Sequence, residues 1–87
     1  MKEKELFRVI QKTYDKEKNI FKLKKTEVVM STTNFKEAEK KANNLRKQND
    51  GRQANKRLYT LQIEIFDNTI CNWRLLSYGD WERLSNV

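Results

Sequence analysis

Hydrophobic and polar positions alternate most cleanly over Arg57–Asp67, RLYTLQIEIFD. Tyr59, Leu61, Ile63 and Ile65 fall on one side of an extended chain, and Thr60, Gln62 and Glu64 on the other. Side chains on a strand point to opposite faces with period two, so this stretch predicts a half-buried β-strand. Its β-branched and aromatic residues suit a pleated surface, and Asp67-Asn68 supplies a turn signal. Leu6–Tyr14 has the same habit, with Phe7 and Val9 on one face and Leu6, Ile10 and Tyr14 on the other. The polar run Asp15–Asn19 reads as a hairpin loop, and Ile20–Ser31 as the returning strand. Alternation slips there, because Val28, Val29 and Met30 are consecutive. A β-bulge near Lys25-Thr26 accounts for the slip.

The period then changes. Phe35, Ala38, Ala42 and Leu45 recur at helical spacing and form one narrow apolar stripe. Asn34 is placed to cap this helix, with Glu37 completing a capping box. Glu37 and Lys41 are four apart in the order that favours an ion pair. Asn49-Asp50-Gly51 reads as the helix end, with Gly51 suited to a left-handed C-cap. A basic loop, Arg52–Lys56, leads into the Arg57–Asp67 strand. Ile70–Tyr78 reads as a fourth strand, with Cys71, Trp73 and Leu75 on one face and Ile70, Leu76 and Tyr78 on the other. After Gly79, Asp80 is positioned to cap a final helical turn that lays Trp81 and Leu84 on the body.

The expected architecture is a single small α+β domain over 1–87, ordered ββαββ. A four-stranded, mainly antiparallel sheet carries one amphipathic helix on one face. Spatial order 2-1-3-4 is favoured; order 1-2-3-4 would need a right-handed parallel crossover between strands two and three. One narrow helix covers one side of such a sheet. Ile10, Tyr14, Phe66, Ile70 and Leu76 are therefore candidates for a protein interface, which a homodimer or another partner would cover.

Charge adds a second candidate surface. The chain has 19 Lys and Arg against 12 Asp and Glu, a net +7. The surplus is uneven: +4 over 1–35, +5 over 36–57 and −2 over 58–87. Basic surplus attracts phosphate-rich polymers, and it also promotes solubility. Lys36, Lys40, Lys41, Arg46 and Lys47 on the helix, with Arg52, Lys56 and Arg57 after it, are the candidate binding residues for nucleic acid or for an acidic partner. Neither a helix-turn-helix, an RNP-type aromatic motif nor a zinc-finger spacing is present. Along the chain the aromatics are not interleaved with the basic run, so stacking on single strands has little support at this level.

Catalytic chemistry finds little purchase. The sequence has no histidine, one cysteine and two glycines. That removes the usual proton shuttle, any internal disulfide and a glycine-rich phosphate loop. Cys71 sits in an apolar stretch with no base to activate it. Glu64 and Asp67 are three apart on one strand and face opposite ways. No cofactor or metal is expected, and the chain reads as a non-enzyme. The N-terminal MKEKELFRVI lacks a signal-like apolar core, and no run approaches a membrane span. A cytoplasmic setting is expected, which includes an infected host cell.

The expected function is a non-catalytic binding module whose basic helix and loop engage nucleic acid or a nucleic-acid-binding protein complex. The alternative is an inhibitor acting by protein contact through the sheet face or edge. In size and composition the chain resembles small accessory proteins of phages and mobile elements, including anti-defence proteins of the anti-CRISPR kind. No motif carries that resemblance, so it transfers no residue roles.

Overall fold

A computed structural model describes residues 5–50 and 57–85. In chain order it contains β1 (Phe7–Glu17), β2 (Ile20–Thr32), α1 (Phe35–Asp50), β3 (Arg57–Asp67), β4 (Asn72–Leu75) and α2 (Tyr78–Ser85). The strands form one sheet in the order β2-β1-β3-β4, with every pair antiparallel. This is the 2-1-3-4 order expected from the two hairpins flanking a helix.

Register explains how the sheet acquires two unlike faces. In β1, Phe7, Val9 and Gln11 lie opposite Ile65, Ile63 and Leu61 of β3. These residues share the side on which α1 lies. Phe35, Ala38 and Ala42 of α1 are buried with Phe7, Val9, Ile63, Ile65 and Leu84, while Val29, Met30, Leu61 and Leu76 pack around them. The two alanines let the helix backbone approach the sheet closely. An aromatic series, Phe7–Phe35–Trp81, has edge-on contacts at 5.7 and 5.4 Å between centroids and ties α2 to α1. Trp81 and Leu84 therefore reinforce the helix-covered side, and no described helix covers the opposite, open face.

Two bulges shape β2. Val9 pairs with Met30 but Ile10 with Val28, and Thr13 pairs with Lys25 but Tyr14 with Leu23. Val29 and Lys24 are thus the extra residues, on either side of the expected Lys25-Thr26 position. The first bulge lets both Val29 and Met30 reach the core. The hairpin is tighter than a five-residue loop. Its strands run to Glu17 and Ile20, and Lys18 and Asn19 turn the chain at φ 50° and 69°. Positive φ at both central residues is the type I′ pattern, whose twist matches the flanking strands.

Helix α1 starts at its expected cap. Asn34 Oδ1 accepts from the backbone N–H of Lys36 at 2.9 Å and of Glu37 at 3.4 Å. The capping box is rearranged through Thr32. Its hydroxyl donates to the Glu37 carboxylate at 2.9 Å and accepts from Asn34 N–H at 3.0 Å. This geometry holds Glu37 towards Thr32 in place of the expected Lys41 pair. The far end of the helix is pinned by a buried amide pair, with Asn49 Nδ2 donating to Gln11 Oε1 at 3.0 Å. The expected Gly51 cap and the Arg52–Lys56 loop lie outside the described residues.

The C-terminal third departs from its expected form. β4 is only Asn72–Leu75, and Ile70 and Cys71 belong to the preceding turn. Asp67 causes this: its carboxylate accepts from Thr69 N–H at 2.8 Å, its carbonyl accepts from Ile70 N–H at 3.3 Å, and Cys71 takes φ 51°. The thiol is exposed, in contrast to the buried strand position expected. The α2 cap lies upstream of the one expected. Ser77 Oγ accepts from Asp80 N–H at 3.2 Å, and Asp80 Oδ2 accepts from Ser77 N–H at 2.9 Å. Ser77 is the N-cap, and Asp80 is its reciprocal partner.

Replacing Phe35 with Ala should cost about 3–5 kcal/mol, because it removes a core ring and both aromatic contacts. Urea unfolding followed by circular dichroism measures this. Asn49→Ala should cost about 1–3 kcal/mol by stripping Gln11 of its buried donor. A double-mutant cycle with Gln11→Ala should show strong coupling.

Candidate functional site

The acidic residues are spent in particular places, and this decides which cations remain available. On the helix-covered side, Asp15 pairs with Arg57 at 3.1 Å, Glu17 with Lys24 at 2.8 Å, and Glu27 with Lys25 at 3.5 Å. Asp15, Arg57, Lys24, Lys25 and Glu27 line a hollow of about 380 Å³. At the other end, Arg74 bridges Asp67 at 2.7 Å and Asp80 at 2.6 Å, while Arg83 reaches Glu5 at 2.8 Å. The Arg74 guanidinium holds the carboxyls of Asp80 and Asp67 below the usual carboxylate range, with Ser77 and Thr69 respectively adding hydrogen bonds.

Helix α1 is different. Lys36, Lys40 and Lys47 are exposed, and Lys41 is half-buried; none of the four forms a salt bridge among the described residues. Spacings of four and seven residues set Lys36, Lys40 and Lys47 on one line of the helix, opposite the buried stripe. Asn43 and Asn44 flank that line on either side and are also exposed. Arg46 leaves it: its Nη1 donates to Asn43 Oδ1 at 3.0 Å on the flank nearer Glu39. Arg57 is engaged with Asp15 and so stands apart from the helix row. Arg52 and Lys56 lie outside the described residues.

The apolar candidates also divide. Ile10 is 3% exposed. Leu76 packs against the core, and Ile70 sits in the turn after β3. Tyr14 and Phe66 are half-buried on the open face. That face offers other apolar groups more fully: Phe21, Leu23 and Val28 are 43%, 51% and 52% exposed. Sequence reasoning passed over Phe21, Leu23 and Val28 as a surface. Their shared face is set by the bulges and by pairing with Lys16, Tyr14 and Ile10.

Neither a family model, nor a curated protein, nor a solved structure matches this chain. Among the described residues no group of three or more His, Cys, Asp or Glu is gathered for a metal. No helix of the described residues is long and apolar enough to cross a membrane.

The Arg74 network makes a pH prediction. In the unfolded chain Asp67 and Asp80 titrate near 3.9; in the folded protein both titrate lower. Their stabilisation is thus complete above that unfolded value and lost as pH falls through the folded values. Asp80→Asn should lower stability at neutral pH and flatten the acid-side loss, measured by urea unfolding at pH 7 and pH 3.

Proposed function

We propose that this protein is a non-catalytic binding module that engages nucleic acid through the solvent face of α1. The observation that carries this reading is the uncompensated row Lys36, Lys40 and Lys47, in a structure whose sheet and α2 cations are largely paired with carboxylates. A row of free ammonium groups neutralises successive phosphates and releases their counterions. Asn43 and Asn44 add hydrogen-bonding groups between the lysines. Nothing in this row reads base identity, so the contact is electrostatic.

A second reading, inhibition by protein contact, draws on the exposed Phe21, Leu23 and Val28. The sheet edge is a weaker part of it. Lys22, Lys24 and Lys25 and two bulges occupy edge strand β2, and both devices discourage strand addition.

Lys36→Glu, Lys40→Glu and Lys47→Glu together should weaken binding to labelled DNA or RNA by tenfold or more at low salt. The slope of log affinity against log salt should fall by about 1 per lysine. Anisotropy titrations across a salt series check both. A folded triple variant with unchanged affinity and slope would sink the helix assignment.

A further inference from the structure

The sheet sorts its carboxylates by face. Asp15, Glu17, Glu27 and Asp67 all occupy the helix-covered side, by their register with Arg57, Ile20, Gln11 and Asn72. The open face carries Glu64, and Arg8 already holds it at 2.6 Å while stacking on Trp73 at 4.4 Å from the ring centroid. Towards the hairpin the described residues of the open face include no further carboxylate, only cations, apolar groups and neutral polar side chains. Lys12 faces Thr26 and Thr60, Tyr14 faces Leu23 and Leu58, and Lys16 faces Phe21. Lys12 and Lys16 form no salt bridge among the described residues. Tyr14 thus lies between Lys12 and Lys16 along β1, with Phe21 opposite Lys16, so two aromatic rings and two ammonium groups without a salt bridge share one face.

An occupant of this surface must supply flat apolar groups and negative charge together. A second copy of the chain brings the same lysines and its own Glu64 already bound, so face-to-face pairing would bury unmatched like charge. An apolar protein surface leaves Lys12 and Lys16 desolvated without partners. An unpaired polynucleotide strand meets both demands, since bases stack on aromatic rings while phosphates meet lysines. Duplex bases are stacked on one another and offer no free face. We infer that the open sheet face, centred on Tyr14 and Phe21 with Lys12 and Lys16, binds single-stranded nucleic acid. This rests on the nucleic-acid reading above but uses the opposite side of the molecule.

The test compares a labelled single-stranded oligonucleotide with its duplex of equal length, by anisotropy at low and moderate salt. Phe21→Ala and Tyr14→Ala/Phe21→Ala are set beside the Lys36/Lys40/Lys47 charge reversal. Phe21 lies beyond the first β3 pair, Asp15 with Arg57, so its truncation leaves the core intact. Circular dichroism confirms the fold of each variant. The expected result is tighter binding of the single strand by the native protein. Phe21→Ala should weaken it by about fivefold or more, and the double variant further, with residual duplex binding unchanged. Folded sheet variants with native single-strand affinity would overturn the inference and leave this face to a protein partner. Equal or tighter binding of the duplex would overturn it as well. If the helix variant alone loses affinity, the sheet inference fails and the helix reading stands. If the sheet variants alone lose it, the helix reading fails and the inference stands. No binding of either nucleic acid at low salt removes both.

Discussion

Close packing of one helix against the central pair of strands is the constraint on which the molecule depends. Ala38 and Ala42 have almost no side chain to hold the helix off, so Phe7, Val9, Ile63 and Ile65 fill the gap directly. Phe35 extends the contact to Trp81, and α2 joins the same layer. This concentrates burial on one side of the sheet. Among the described residues the opposite side receives no helix, and its side chains are covered by one another. Arg8 between Glu64 and Trp73 shows how far that local cover can go near β4. Nearer the hairpin no comparable arrangement forms among the described residues.

Electrostatics follows the same division. Paired charges of opposite sign collect where strands and turns need fastening: Arg74 clamps the β3–β4 turn to α2, and Arg83 returns α2 to the chain before β1. The carboxylates used there are unavailable elsewhere. Among the described residues, cations without a carboxylate partner therefore include those of two opposite exposed surfaces, the outward row of α1 and the hairpin half of the open sheet. A total charge alone does not distinguish a solubilising shell from a binding surface; the distribution of its partners narrows the choice.

Most of the architecture was legible in the sequence because it is written in local period. The switch from alternation to three-and-four spacing and back marked β1, β2, α1 and β3. Two hairpins around one helix then favoured the observed strand order. What escaped was set by side chains acting over a few residues. Asp67 organises a turn that shortens β4, and Ser77 takes the cap expected of Asp80. Thr32 diverts Glu37 from Lys41. The interleaving of Tyr14, Phe21, Lys12 and Lys16 is invisible along the chain because it is assembled across two strands. Alternation puts Lys12, Tyr14 and Lys16 on one face of β1, and the Lys18-Asn19 turn brings Phe21 to the same face. The basic helix was plain in the sequence. Its division into a free row and a diverted Arg46 needed the hydrogen bond to Asn43.

The molecule measures 52 × 26 × 20 Å, and the β1–β2 hairpin contributes to that length. Lys16–Phe21 and Glu17–Ile20 pair beyond the Asp15–Arg57 rung, where the described residues supply no third strand. A two-stranded ribbon has little stability of its own, so this arm draws its rigidity from the sheet at its base. Its rungs should exchange amide protons sooner than the helix-covered strands, at a free-energy cost well below that of opening the whole fold. The arm can therefore bend or twist to suit a contour while its anchor stays fixed, giving one end of the protein the adaptability that the packed end lacks.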